Sequence, residues 1–357
     1  MRAHRAGIGP RALATFGLGL GGGAAFFLLD LPLPWVLGSL TATALAAQFS
    51  RFRPTMPESW RTIALSALGI MLGSGFTPET IGRAGGWWIS LLAMILLSVL
   101  FALMAYGVFT RWGRMDRTTA LFAAMPGGLS VAAMLAEDYR SETNRVVLCH
   151  TARLVVLLIC APLIIQAISG IDLADASRAA FDQADPVDPL RHGSLIVVGV
   201  LSWGAARWIR FPSATLMMPL FASAALHATG ILTVHVPPVL SSAAQVAIGA
   251  GLGGRFAAYT LRQIWRDGWL AAAMALVMAA GSVLAAGLVA PYAGASVAAL
   301  FLAYLPGGAP ELGVVALALA IDPAMVAAHQ VLRVLLIAGG MPLIAPLLGL
   351  HPPERGD

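Results

Sequence analysis

The chain contains no lysine; all 22 of its basic residues are arginine. That absence excludes lysine Schiff-base chemistry and a P-loop lysine outright. Charge of either sign is scarce, 11% of 357 residues, and cysteine is limited to Cys149 and Cys160. Those two fall on one expected helix about three turns apart, so they cannot bridge each other. They carry no information on redox compartment. The seven histidines are His4, His150, His192, His227, His235, His329 and His351. They include no pair at the spacing by which one helix presents two imidazoles to a metal, so a metal site is unsupported. A pI near 9.9 suggests nucleic-acid binding in a soluble protein. Here the arginines are scattered through short loops rather than gathered on one face, and membrane topology explains them better.

What the chain has in abundance is apolar length. With 59% hydrophobic residues and a mean hydropathy of +0.82, it cannot hide its apolar surface in a water-soluble core, so a lipid bilayer must be its solvent. Stretches long enough to read as spans of roughly 17–25 residues run at 12–29, 33–50, 86–109, 145–168, 193–209, 212–231, 268–291 and 325–349. Shorter or Gly/Pro-interrupted ones lie at 60–76, 119–136, 239–255 and 298–318. The first span follows Arg2, Arg5 and Arg11. It resembles a signal peptide but lacks a convincing small-residue cleavage site, which favours a retained anchor.

The sequence repeats at a fixed offset of 180. Pro126-Gly127-Gly128 recurs as Pro306-Gly307-Gly308, Arg153 as Arg333, and Pro162-Leu163-Ile164 as Pro342-Leu343-Ile344. The same register aligns Pro32 with Pro212, Pro57 with Pro237, Gly69 with Gly249, Gly73 with Gly253, Phe76 with Phe256 and Thr80 with Thr260. Equivalent loops carry opposite charge bias. Loop 51–61 holds Arg51, Arg53 and Arg61 while 231–241 holds no arginine, and loop 110–118 holds Arg111, Arg114 and Arg117 while 290–298 holds none. In the other sense, 255–267 holds Arg255, Arg262 and Arg266 against Arg83 alone at 77–85, and 207–211 holds Arg207 and Arg210 against none at 27–31. Under the positive-inside rule the two copies therefore face opposite ways.

Inversion requires an odd number of crossings per copy, yet each copy has six apolar segments, so one segment should not cross fully. The one carrying Pro-Gly-Gly is the natural choice. The expected fold is all-α integral membrane: two inverted repeats, each of about five transmembrane helices plus one re-entrant or broken Pro-Gly-Gly segment. The expected division is 1–169 for the first repeat, 170–192 for an acidic linker, 193–350 for the second repeat and 351–357 for a short polar tail. The linker holds Asp172, Asp175, Asp182, Asp185 and Asp188 against Arg178 and Arg191, which fits an external joint, with both termini cytoplasmic. Trp87, Trp88, Trp203, Trp208, Trp265 and Trp269 lie near expected span ends, where an aromatic belt belongs.

Candidate site residues follow from the breaks. Pro lacks the amide donor and Gly tolerates unusual backbone, so Pro126-Gly127-Gly128 and Pro306-Gly307-Gly308 should each break a helix inside an apolar segment. Freed backbone groups must then find partners in protein or in a water-filled cavity. A helix restarting after each break would present bare N–H groups, an anion-binding device. Paired interruptions in two halves point to a transporter's site; a packing kink without a ligand gives the same pattern. Arg153 and Arg333 stand near the middle of their spans, where a lipid-facing Arg costs about 2.5–3.5 kcal/mol. Each either neutralises a backbone carbonyl or carboxylate, or contacts substrate. His150 shares a helix face with Arg153 and His329 with Arg333, although the offset aligns His329 with Cys149. Glu311 has no acidic counterpart, since Val131 occupies the aligned position. It either carries a coupling proton or pairs with Arg333 or His329.

Other features read as structure. The glycine run from Gly17 to Gly23 lies in a span with no preceding strand, so close helix packing is preferred to a dinucleotide loop. Gly69 with Gly73, and Gly249 with Gly253, form small-residue faces. Glu137, Asp138, Glu142, Arg140 and Arg145 read as a solvated loop, and Asp322-Pro323 as a helix cap.

The tandem segments Phe122-Ala123-Ala124-Met125-Pro126-Gly127-Gly128 and Tyr304-Leu305-Pro306-Gly307-Gly308-Ala309-Pro310-Glu311, each followed by an Arg-containing span, resemble the AbrB-type bacterial membrane protein family. The likeness runs from about 12 to 350. It implies a duplicated membrane domain in the bacterial inner membrane and a link to regulation of gene expression. An ammonia monooxygenase label also attached to the family finds no ligand cluster here.

These observations together predict a secondary transporter or exporter of a small anionic or zwitterionic solute, working by alternating access. Its binding residues would be Pro126, Gly127, Gly128, Arg153, Pro306, Gly307, Gly308, Glu311, His329 and Arg333. No ATP-binding motif is present, so an ion gradient of H+ or Na+ would supply the energy. The expected partners are the lipid bilayer and that solute, with no enzyme chemistry, no cofactor and no direct nucleic-acid contact; a homo-oligomer is compatible with such a bundle. The alternative is a membrane sensor that binds a ligand in the same cavity and affects gene expression indirectly, and the third reading is a membrane-bound monooxygenase.

Overall fold

A computed structural model describes residues 9–170, 188–209 and 213–347. Most of the expected acidic linker, 171–187, lies outside these residues, and the polar tail entirely so. Among the described residues all regular structure is helical. Helix α1 spans Pro10–Leu28; a π-helical turn over Pro34–Gly38 leads into α2 (Ser39–Phe49), followed by α3 (Glu58–Gly73) and α4 (Pro78–Ala84). Next come α5 (Trp88–Arg111), α6 (Arg117–Ala124), α7 (Leu129–Asp138) and α8 (Thr143–Ser169). The second half comprises α9 (Pro189–Trp208), α10 (Ala214–Ala228), α11 (Pro238–Gly254), the short α12 (Leu261–Gln263), α13 (Trp269–Ala293), α14 (Val297–Tyr304), α15 (Ala309–Ala318) and α16 (Pro323–Leu347).

Five helical stretches are long and apolar enough to cross a membrane by length and composition: Pro10–Leu28, Pro78–Arg111, Thr143–Ser169, Leu261–Ala293 and Pro323–Met341. Their outward faces carry large apolar side chains, such as Leu92, Leu96 and Leu103 on α5 and Leu276, Leu284 and Leu288 on α13. A protein with such a surface is a membrane protein. Trp88, Trp208, Trp265 and Trp269 are among the exposed residues, whereas Trp87 is buried.

Helix limits recur at the 180 offset. α6 and α14 begin at 117 and 297 and end at 124 and 304; α7 and α15 begin at 129 and 309 and end at 138 and 318. Positive φ recurs too, at Leu33 and Ser213, at Arg114 and Gly294, and at Arg140 and Ala320. Asp116 caps α6 and Ser296 caps α14. Asp322 accepts from the Met325 amide at 3.1 Å with Pro323 as the first helical residue, the cap expected from that dipeptide.

Two glycine pairs set the tightest packing. On α3, a Cβ at Gly69 would lie 2.4 Å from the Leu216 carbonyl oxygen, and one at Gly73 2.5 Å from that of Leu220. On α11, Gly249 and Gly253 stand in the same relation to Val36 and Leu40, at 2.3 and 2.4 Å. Residues 216 and 220 are 36 and 40 plus 180, so α3 seats on α10 as α11 seats on α2. In the early glycine run, Gly19, Gly22 and Gly23 are pressed against neighbouring helices while Gly17 and Gly21 have open space.

Candidate functional site

Met125 and Leu305 precede prolines, and a following proline disfavours helical backbone at the residue before it. Both have left the helix at the same angles, φ −54 and ψ 128 for Met125 and φ −55 and ψ 128 for Leu305. The last carbonyls of α6 and α14 are thereby stranded in the core. Arg153 on α8 donates from Nη2 to the Met125 carbonyl at 2.8 Å, and His150 Nε2 meets the Phe122 carbonyl at 2.9 Å. On α16, Arg333 donates to the carbonyls of Leu305, Ala303 (2.7 Å) and Tyr304 (3.2 Å), while Gln330 Nε2 donates to that of Leu302 at 3.1 Å. Leu302 is 122 plus 180 and Gln330 is 150 plus 180. Gln330, which sequence reasoning passed over, therefore does for the second break what His150 does for the first. The fixed offset already paired those two positions, but attention to histidines alone overlooked the amide.

His329 takes another partner: its Nε2 meets Ser90 Oγ on α5 at 2.8 Å and its Nδ1 meets the Met325 carbonyl at 2.8 Å. Pro126, Gly127, Pro306 and Gly307 are buried, whereas Gly128 and Gly308 are half-buried. The tips of the two breaks touch, since a Cβ at Gly127 would sit 3.3 Å from Arg333 Cδ and 3.5 Å from the Gly307 carbonyl oxygen. Their backbones are unequal: Gly127 and Gly128 have φ of 117 and 71, while Gly308 is extended at φ −82. The α6–α7 pair folds back on itself. Glu142, after α7, donates its amide to Thr119 Oγ1 at the start of α6 at 3.0 Å, and the Phe122 and Tyr139 rings lie 5.4 Å apart.

Two cavities in the bundle have partly equivalent walls. The larger, about 510 Å³, is lined by Gly128, Leu129, Ser130, Gly308, Ala309 and Glu311 together with Arg61, Arg207 and Arg255. The smaller, about 170 Å³, includes Leu33, Pro34, Trp35, Ser241 and Gln245 in its wall. Those five positions plus or minus 180 are Ser213, Ala214, Thr215, Arg61 and Leu65, all of which line the larger cavity. Neither Pro-Gly-Gly segment forms part of the smaller wall. Of the sequence-derived site residues, Gly128, Gly308 and Glu311 reach the larger cavity; Arg153, His329 and Arg333 do not line it.

Glu311 folds back onto its own first turn: a Cβ at Gly308 would lie 1.9 Å from its Oε2, so a side chain there would displace the carboxylate. It pairs with neither Arg333 nor His329. The charge it acts on is Arg255, a residue that entered the sequence reading only as a loop charge.

The basic loops are tied together. Arg145 Nη2 donates to the Gly113 carbonyl at 3.1 Å and to buried Asp267 at 2.9 Å, so it is not solvated as expected. Arg53 donates to the Ala257 carbonyl and Tyr259 to that of Asn144. At the opposite end, Gly75 lies against Ala324, and Ser74 Oγ meets His235 Nδ1 at 3.3 Å.

The AbrB family model, described as "Transition state regulatory protein AbrB", matches residues 35–349. The chain belongs to this family. A Bacillus subtilis (strain 168) relative, "Uncharacterized protein YhjN", is 26% identical over 355 residues, covering 94% of this chain and 92% of that protein. An Escherichia coli (strain K12) relative, "Putative regulator AbrB", is 24% identical over 331 residues, covering 92% and 94% respectively. Both likenesses run through the two halves, as does the AbrB match. Among the described residues no group of three or more His, Cys, Asp or Glu gathers closely enough to hold a metal ion.

Proposed function

We propose that this AbrB-family protein is a secondary transporter of a small anionic or zwitterionic solute, working by alternating access in the bacterial inner membrane. The observation that carries the reading is the pair of cavities. Walls that share five positions related by the 180 offset enclose about 510 Å³ beside the breaks and about 170 Å³ in a second cavity that includes neither break. An inverted repeat whose two copies exchanged conformations would exchange these volumes, opening a midplane site to one side and then the other. The unequal backbones at Gly128 and Gly308 fit one half of such an exchange.

The contacts among residues 53, 113, 144–145 and 256–267 support the inverted arrangement, because they gather the arginine-bearing loops of both halves at one end. By the positive-inside rule that end is cytoplasmic, with both termini. Helices of eight and ten residues rise only about 12–15 Å, half of a ~30 Å hydrocarbon core, so α6–α7 and α14–α15 serve as re-entrant hairpins with five crossings beside each. Arg153 and Arg333 then brace the hairpin tips. Glu311 and the cavity arginines meet the solute, and an ion gradient of H+ or Na+ drives the cycle. No catalytic step and no nucleic-acid contact belong to this reading.

Purified protein in proteoliposomes tests it. Radiolabelled organic acids and amino acids should show gradient-driven uptake that empty liposomes lack. The names of the family and of its E. coli relative favour a second reading, a membrane regulator. Saturable binding of the same compounds without flux would support that reading and sink transport. A stoichiometric copper or iron complement in active protein would instead revive the oxygenase reading.

A further inference from the structure

The larger cavity holds one carboxylate, Glu311, among three guanidinium groups, those of Arg61, Arg207 and Arg255. Two of the three are engaged. Arg61 pairs with Glu58 at 3.1 Å, and Arg207 lies over the Trp203 ring, 4.7 Å from its centroid. Arg255 is different. Its Nη1 is buried and has no hydrogen-bond partner. Glu311 is the opposing charge that acts on it most strongly, ahead of Glu58. Yet Glu311 stays folded against Gly308 and closes no hydrogen bond with the guanidinium. An ionised donor left unmade in a buried place is costly, and an acceptor entering the cavity would relieve that cost.

The rest of the wall narrows the class of acceptor. Leu65, Leu129, Met134, Leu154 and Val334 provide an apolar lining suited to a carbon skeleton rather than to a bare inorganic ion. A guanidinium matches a carboxylate bidentately. The Glu311 carboxylate disfavours a second anionic group and can accept from an ammonium.

We infer that Arg255 anchors the carboxylate of a small aliphatic acid or amino acid in this cavity, with Glu311 facing the far end of the same molecule. The inference rests on the transport reading for its purpose but not for its test. Dianions are disfavoured beside Glu311, and amines lacking a carboxylate have nothing to offer Arg255. Arg153 and Arg333, whose Nη groups are on backbone carbonyls and which do not line this cavity, position the hairpins.

The test uses the full chain in lipid nanodiscs, with binding of leucine, 4-methylpentanoate, isoamylamine, succinate and inorganic phosphate read by calorimetry and by thermal stabilisation. Leucine or 4-methylpentanoate should bind at millimolar concentration or below, and isoamylamine should not. Arg255→Gln should weaken that binding by about tenfold or more, and Arg255→Lys, which keeps the charge but loses the fork, should fall between. Glu311→Gln should weaken leucine while leaving 4-methylpentanoate at least as tight. Thermal unfolding without ligand checks that each variant is folded, and Arg255→Lys serves if Arg255→Gln is not. Failure of both carboxylates to bind overturns the inference, as does equal binding of isoamylamine or unchanged affinity in a folded Arg255→Gln variant. Carboxylate binding without flux would remove the transport reading and leave the site. Flux indifferent to Arg255→Gln would remove the site and leave transport.

Discussion

Arg333 closes the broken end of α14 by donating to the carbonyl of Leu305, and the same guanidinium reaches the carbonyls of Ala303 and Tyr304. Arg153 does the equivalent at Met125. Removing either side chain would strand buried carbonyls that no water can reach, at about 1–3 kcal/mol for each group. Arg153→Ala and Arg333→Ala should therefore lose stability first, by several degrees in thermal unfolding. Any loss of binding should follow from loss of fold. A folded, fully stable Arg333→Ala protein with abolished binding would reverse this assignment.

The second copy already contains the experiment for His150. Gln330 holds the Leu302 carbonyl from the position where the first copy has histidine holding that of Phe122. His150→Gln should be nearly neutral, within about 1 kcal/mol, whereas His150→Leu should cost about 1–3 kcal/mol because the Phe122 carbonyl loses its donor. Unfolding in denaturant compares the two. Equal losses would mean that the imidazole is needed for something other than that bond.

Gly69, Gly73, Gly249 and Gly253 each face a backbone carbonyl that a methyl group would strike. Alanine at any of them should cost about 1–3 kcal/mol as the helices are pushed apart. Gly107 on α5 and Gly287 on α13 have nothing within 4 Å of the place an added methyl group would occupy. Alanine there should be neutral or slightly stabilising, since glycine inside a helix carries an entropic penalty. Similar losses at all six positions would discount close packing as the cause.

Much of this arrangement is legible in the sequence, because its information lies in the backbone. Prolines and glycines repeated at one offset dictate where helices stop, and the limits of α6, α7, α14 and α15 obey them. The small-residue faces at Gly69 and Gly249 are legible for the same reason. Partner choice is less so. Nothing local to Arg153 tells whether its guanidinium will meet a carbonyl or a ligand, since that depends on where the freed end of α6 falls in space. Arg255 is harder still: it follows a helix end in a basic loop, and only the fold carries it to the wall shared by Gly128 and Glu311. Apolar length overstated the long helices. The apolar segment 33–50 holds a π-helical turn over Pro34–Gly38 and an 11-residue helix, and the helix within 212–231 runs 15 residues from Ala214, each run starting after a residue of positive φ, Leu33 or Ser213.

The Asp116 carboxylate caps α6 by accepting from the amides of Thr118 and Thr119 at 3.1 and 3.0 Å. Partial burial pushes its pKa upward, but hydrogen bonds from Thr119 and the local amides outweigh that and hold it below the usual carboxylate range. A depressed folded-state pKa means that the stabilisation is complete above the ordinary aspartate pKa and fades as pH falls through the lower folded value. Asp116→Ala should cost about 1 kcal/mol at neutral pH, and the gap between variant and parent should shrink only in strong acid. A gap that closes near neutrality would assign the effect to another group.

Leu65 and Gln245 occupy equivalent positions at the 180 offset, Leu65 in the wall of the larger cavity and Gln245 in that of the smaller. If the two copies exchange conformations, access to these positions must change in opposite senses. Single cysteines at each site can be introduced into a chain whose own Cys149 and Cys160 are replaced by alanine. Leu65→Cys should then react with an impermeant maleimide from the arginine-rich side, and Gln245→Cys slowly from the other. A bound carboxylate or an imposed ion gradient that favours the opposite state should slow the first and speed the second together, because one equilibrium governs both. The mirrored change is the diagnostic part. A packed bundle with two unrelated crevices would let one rate move while the other stayed still, and that outcome, or labelling of both sites from the same side, would end the alternating-access account.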